Sequence, residues 1–189
     1  MAGIYFGAGG VARKVKNAYI GVNSVARKVK NGYIGVAGVA RKFFVGIEVA
    51  FHTVSSTDYI TVNSCRVGAN GDTWEIYLNA TGVTSKDEEA VVPNIWITGD
   101  ILGKTITFEY TNDKYDANYW VVECNNIDSS GNLLNRLLLE KTSTWTSASL
   151  EIPTNSKRVS FSIWFESRKA TYSGTLKLRN VKINGKSIM

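Results

Sequence analysis

The chain has 189 residues, of which 44% are hydrophobic and 20% charged, enough for one substantial core and a smaller element and unlike a disordered tail. No run approaches roughly 18 consecutive apolar residues, and the N-terminus lacks the basic-then-apolar order of a secretory signal, so a membrane partner is not expected and synthesis in a cytoplasm is. The net charge of +6 is uneven: residues 1–50 hold eight bases against Glu48 alone, net +7, while residues 51–189 hold 14 bases and 15 acids, net −1.

That basic segment is a repeat. "VARKVKNAYIGV" (residues 11–22) returns as "VARKVKNGYIGV" (residues 25–36), and Val11, Val25 and Val39 open successive copies at a 14-residue period. Tyr5, Tyr19 and Tyr33 mark one internal position, so a partial copy, "YFGAGG", stands first. Gly7, Gly21 and Gly35 recur beside β-branched residues and Tyr, which opposes helix. The phrase reads as a β-meander in which "VARKVK" is one strand, "YIGV" the return strand, and Asn31-Gly32 a type I′ hairpin turn. Fewer than fifty residues of this kind bury little surface alone, so docking or homo-oligomerisation is expected, three chains around an axis being one arrangement.

Three readings compete for Arg13, Lys14, Lys16, Arg27, Lys28, Lys30, Arg41 and Lys42. Stacked bases attract nucleic acid, but no recognised nucleic-acid module accompanies them. Lys on a strand edge also serves simply to prevent edge pairing. The third reading, docking to an acidic protein surface with Tyr19 and Tyr33 as packing anchors, is favoured here. The phrase from residue 10 to residue 44 resembles N-terminal repeats of structural proteins of phages and prophages of Gram-positive bacteria. The resemblance implies a virion component attached through these residues to other virion proteins.

From residue 51 onward, short alternating or aromatic-rich runs follow one another: "DYITVN" (58–63), "TWEIYLN" (73–79), "NIWIT" (94–98), "KTITFEYTN" (104–112), "NYWVVEC" (118–124), "NRLLLEK" (135–141), "ASLEI" (148–152), "RVSFSIWFES" (158–167) and "GTLKLRNVKI" (174–183). Turn-rich "GANGD" (68–72) and "DSSGN" (128–132) lie between them. About nine strands predict an all-β chain, a hairpin repeat over 1–50 followed by a β-sandwich over 51–189. Ile106, Phe108 and Tyr110 share one strand face, as do Val159, Phe161, Ile163 and Phe165.

"ILGKTITFEYT", "STWTSASLEIP", "KRVSFSIWF" and "GTLKLRNVKINGKS", in that order, resemble the jelly-roll, galactose-binding-like group of carbohydrate-binding modules. The resemblance implies a jelly roll, a host-surface glycan as partner, and a site built on an aromatic platform with polar neighbours, because a pyranose offers both apolar C–H faces and hydroxyls. Trp74, Trp96, Trp120, Trp145 and Trp164, with Tyr119 and Tyr172, are the candidates; Trp120 and Trp164 come first, with Asn118 and Glu166 as hydroxyl partners. The group also admits a structural calcium; Asp113, Asp116 and Asp128 are loop acids, but no Asp-x-Asp loop appears, so no metal or cofactor is assigned.

Catalytic inventory is thin. His52 is the only histidine, and a nucleophile triad would have to bring it to Cys65, Cys124 or a serine. Acids in "KDEEA" (86–90) read as a solvated loop, and there is no phosphate-binding Gly-rich loop. Cys65 and Cys124 lack metal-ligand spacing and read as free thiols rather than a disulfide. The expected protein is therefore a non-enzymatic virion component of tail, baseplate or fibre that displays an adhesive sandwich. The alternative is a capsid decoration or head-fibre protein whose basic arm grips the shell.

Overall fold

The computed structural model describes residues 5–8, 11–14, 19–22, 25–28, 31–36, 39–83, 90–113, 133–163, 165–166 and 171–189, with the backbone alone considered before residue 46 and at residue 166. Every described element is a strand, every described pairing is antiparallel, and the chain divides into two compact units, Met1–Glu48 and Val49–Met189.

In the first unit the repeat forms three hairpins: β1 (Tyr5–Ala8) with β2 (Val11–Lys14), β3 (Tyr19–Val22) with β4 (Val25–Lys28), and β5 (Asn31–Val36) with β6 (Val39–Val45). The 14-residue period becomes an identical register. Tyr5, Tyr19 and Tyr33 stand opposite Lys14, Lys28 and Lys42, and Gly7, Gly21 and Gly35 opposite Ala12, Ala26 and Ala40. Among the described residues the ladders are two-stranded hairpins. One expectation is corrected: Asn31-Gly32 is no hairpin turn, since Asn31 pairs with Val45 and Gly32 with Phe44. The third copy ends in "KFFV" where the earlier ones have "KVKN", and that apolar, β-favouring extension prolongs β6 and draws Asn31 and Gly32 into its ladder. A register shift between Gly32 and Tyr33 falls at a glycine, where the backbone accommodates it.

The second unit is a β-sandwich. One layer is a six-stranded sheet ordered β13 (Thr142–Glu151), β12 (Thr105–Asn112), β16 (Thr171–Ile183), β9 (Thr73–Gly82), β8 (Ile60–Asn70), with β17 (Lys186–Ser187) beside β16. The other layer carries β14 (Arg158–Ser162), β11 (Asn94–Thr98) and β7 (Glu48–His52), with β10 (Ala90–Val91) paired to β15 (Phe165–Glu166). Period-two alternation fills the space between: Ile76 and Leu78 of β9, Ile106, Phe108 and Tyr110 of β12, Leu176 and Leu178 of β16, Ile95 and Ile97 of β11, and Val159 and Phe161 of β14 are buried. Rings lock the layers. Phe108 meets Phe161 edge-on at 5.0 Å, Phe51 meets Trp74 at 5.9 Å, and Phe165 meets Tyr172 at 5.3 Å.

Several sequence expectations shift here. Gly68, Ala69 and Asn70 belong to β8, so the turn narrows to Asn70–Thr73, where Gly71 has φ +58° and Thr73 Oγ1 donates to the Asn70 carbonyl at 2.8 Å. "NRLLLEK" is not a strand: its leucines lack alternation, Leu138 is exposed and Leu139 buried, and the segment is held by Asn135 Nδ2 on the Glu151 carbonyl and Asn112 Nδ2 on the Leu139 carbonyl. The run "NYWVVEC" and the loop "DSSGN" lie outside the described residues. The Asn-Gly signal operates at Asn184-Gly185 instead, where φ is +47° and +74° and the turn joins β16 to β17. Asn184 also clamps β12, its N–H donating to the Thr105 carbonyl at 2.8 Å and its Oδ1 accepting from the Thr105 N–H at 2.9 Å.

Candidate functional site

The outer face of the six-stranded sheet is polar and carries its aromatic rings under cations. β13 turns Ala148 and Leu150 toward Phe108 and Ile106, which places Trp145, Ser147 and Ser149 on the opposite face. Likewise β12 presents Thr107 and Glu109 outward, and β16 presents Lys177 and Arg179. Arg179 reaches across β12: its Nε donates to Glu109 Oε2 at 2.5 Å, and its guanidinium carbon lies 4.2 Å from the centre of the Trp145 ring.

A β-bulge tunes this place. Between the pairs Thr107↔Lys182 and Glu109↔Arg179 the register slips, so that Asn180 and Val181 together oppose Phe108. Asn180 takes φ +53°, a conformation that Asn tolerates better than most side chains, and its Nδ2 donates to Glu109 Oε2 at 3.2 Å. Val181 and Ile183 are thereby returned to the core. The Arg179 hydrogen bond, with help from Asn180 and the charge of Lys182, holds the Glu109 carboxyl below the usual carboxylate range. Thr107, Glu109, Ser147, Ser149, Asn180 and Lys182 line a shallow depression of about 430 Å³.

The same face repeats the device on β8 and β9. Arg66 stacks 4.4 Å from the Tyr77 ring centre and approaches Glu75 to 3.7 Å. Tyr77 faces Ser173 at 3.4 Å between hydroxyl oxygens, and this contact leads in lowering the phenol pKa. Asn63 Nδ2 donates to Asn79 Oδ1 at 2.9 Å. The sheet thus offers donors, acceptors and two aromatic rings on one surface, the inventory needed for hydroxyl-rich ligands.

Of the residues singled out in the sequence, Trp120, Asn118, Trp164, Lys16 and Lys30 lie outside the described residues. Glu166 is placed in β15 by its backbone, opposite Ala90. Arg13 and Lys14 fall in β2, Arg27 and Lys28 in β4, Arg41 and Lys42 in β6, Tyr19 in β3 and Tyr33 in β5. Trp74 and Tyr172 are core residues, 4% and 3% exposed. Asp113 spends a carboxylate oxygen on the Thr175 N–H at 2.7 Å, and Asp116 and Asp128 lie outside the described residues. Cys65 is a free thiol whose pKa burial pushes up, so it has no activated character; Cys124 lies outside the described residues. His52 packs against Trp96 at 4.1 Å, and its Nε2 has no hydrogen-bond partner.

Trp145 stood among five tryptophans without priority in the sequence, yet its position was readable: with Ala148 and Leu150 inward, Trp145 must share the face of Ser147 and Ser149. No protein-family model matches this chain, and no curated protein matches it either.

Proposed function

We propose that this chain is a virion structural protein of a phage or prophage, a tail, baseplate or fibre component. In this reading its basic hairpins attach to other virion proteins, and its jelly-roll β-sandwich adheres to a host-surface glycan. The observation that supports glycan contact best is Trp145 beside Arg179, Glu109 and Asn180 at the edge of a polar depression. A sugar C–H face packs on an indole while its hydroxyls exchange hydrogen bonds with carboxylate, guanidinium and amide. Attachment is supported by the identical register of three hairpins, which repeats one Arg-Lys strand at a fixed interval along a segment of net charge +7.

Two experiments test the two halves. The full chain on a glycan array should bind a restricted set of glycans, and Trp145→Ala should weaken that binding at least tenfold; an array with no signal refutes the adhesive reading. Antibody against the sandwich should label particle tails in electron micrographs. Label over the head would instead make this a capsid decoration or head-fibre protein.

A further inference from the structure

Acids and bases on the outer face of the six-stranded sheet do not pair off evenly. Leu176, Leu178, Val181 and Ile183 of β16 are buried, so Thr175, Lys177, Arg179 and, past the bulge, Lys182 point the other way. Arg179 takes Glu109 of β12, and Glu75 of β9 approaches Arg66 at 3.7 Å although Lys177 stands directly opposite it. Glu151, at the far end of β13, stands opposite Thr105. Among the described residues neither Lys177 nor Lys182 has an ion-pair partner, and this surplus lies in a segment, residues 51–189, whose net charge is −1. The face is also open: Lys177 and Asn180 are exposed, and the side chains of Arg179 and Glu109 keep 40% and 28% of their accessible surface.

Lys182 lies in the depression with Thr107, Glu109, Ser147 and Ser149. There the Glu109 carboxylate is used on one side alone. Arg179 Nε and Asn180 Nδ2 both donate to Oε2, and Oε1 receives no hydrogen bond among the described residues. An ionised carboxylate oxygen has two lone pairs, so Oε1 is an acceptor that awaits donors. The depression thus combines an ammonium without a counter-ion, an unused acceptor and three hydroxyls. A neutral sugar would satisfy the acceptor and the hydroxyls and leave the ammonium unmatched. An acidic peptide would match the ammonium and bring few donors for the rest.

We propose that the ligand of this open face is an anionic glycan lying along β16, its acidic groups at Lys177 and Lys182 and its hydroxyls on Glu109 Oε1, Thr107, Ser147 and Ser149. The two lysines are five residues apart on one strand, roughly 16 Å at the rise of a strand and less by the bulge between them. That span exceeds a single sugar ring, so the ligand is an oligomer with an anion on more than one unit. Arg179, between the two lysines, is already neutralised by Glu109 and serves as the platform beside Trp145 rather than as a third anion contact. Carboxylate and phosphodiester groups both meet this requirement. The inference rests on the reading of the sandwich as a glycan-binding module and adds the charge of the ligand and its direction on the sheet.

The test is a set of binding isotherms on the full chain at fixed ionic strength, with oligogalacturonate, a glycerol phosphate oligomer, a neutral malto-oligosaccharide and polyglutamate as probes. Oligogalacturonate or the glycerol phosphate oligomer should bind more tightly than the neutral sugar and polyglutamate, and the better of the two identifies the anion as carboxylate or phosphodiester. Lys177→Gln/Lys182→Gln should weaken that binding about tenfold and melt like the wild type, since neither lysine is paired. Lys157→Gln, an exposed base just before β14, should leave it unchanged. Preference for the neutral sugar, equal or tighter binding of polyglutamate, or failure of both anionic probes to bind would overturn the proposal. So would undiminished binding in the double variant, which would assign the anion to the basic repeat. Any of these alongside neutral glycans on the array that are lost in Trp145→Ala would leave the adhesive reading standing without an anionic ligand. An empty array and no binding of any probe would end both.

Discussion

Arg179 is held by Glu109 and covers Trp145 at the same time: its Nε sits 2.5 Å from the carboxylate and its guanidinium carbon 4.2 Å from the indole centre. One planar cation therefore contacts Glu109, which lines the depression, and Trp145 on the next strand. Lysine keeps the charge but has neither the planar fork nor the stacking surface. Arg179→Lys should accordingly reduce glycan binding nearly as much as Arg179→Ala, with a change of less than about 1 kcal/mol in urea unfolding, as expected for a half-exposed ion pair. Binding by Arg179→Lys equal to that of the wild type would show that charge alone matters there.

The depressed pKa of Glu109 carries a sign. A carboxyl with a folded-state pKa below its unfolded value contributes stability that is fully present above the unfolded pKa and is lost as pH falls through the folded one. The midpoint of urea unfolding should therefore decline between neutral pH and the acid side of the ordinary carboxylate range. In Glu109→Gln that decline should be shallower. Parallel profiles for the two proteins would mean that the Arg179 contact does not bias the carboxyl.

Asn180 separates backbone from side chain. At φ +53°, a β-branched residue pays for a left-handed conformation, so Asn180→Val should destabilise by roughly 1–2 kcal/mol. Asn180→Gly fits the same backbone and should unfold close to the wild type, yet lose the hydrogen bond to Glu109 and weaken glycan binding. Circular dichroism melts and binding isotherms on the two variants distinguish these effects.

Phe161 is fully buried and meets Phe108 of the facing sheet edge-on. Phe161→Ala should cost about 3–5 kcal/mol in equilibrium unfolding of the sandwich. A smaller loss would show that the layers close over the space.

Much of this architecture was legible because its faces alternate. "TITFEYTN" and "TWEIYLNA" name their buried rows directly, since every second residue except the buried Asn112 is apolar and the core lies on one side. Even the bulge is written in "LKLRNVKI": Leu176 and Leu178 keep a spacing of two, the next core residue is Val181, and the extra step marks Asn180. The leucine run at 137–139 misled because hydrophobicity without alternation does not specify a strand; the Leu139 carbonyl accepts from the Asn112 side-chain amide, and Asn135 of the same segment donates to the Glu151 carbonyl. Asn31-Gly32 misled because turn propensity is local, whereas the paired strand that absorbed it was set by Phe43, Phe44 and Val45 of the third copy. The cation stacks were not readable at all. Arg179 and Trp145 lie 34 positions apart on strands that are not even neighbours, and only the sheet order brings them together.

The boundary between the two units falls within β7, after its first residue, Glu48. Among the described residues β7 is the edge of its sheet and has a single neighbour, β11. If the repeat is attached as proposed, tension passing from it into the sandwich enters through this outermost ladder. A pulling experiment on the full chain should then find the first rupture where β7 peels from β11, while the six-stranded sheet remains whole.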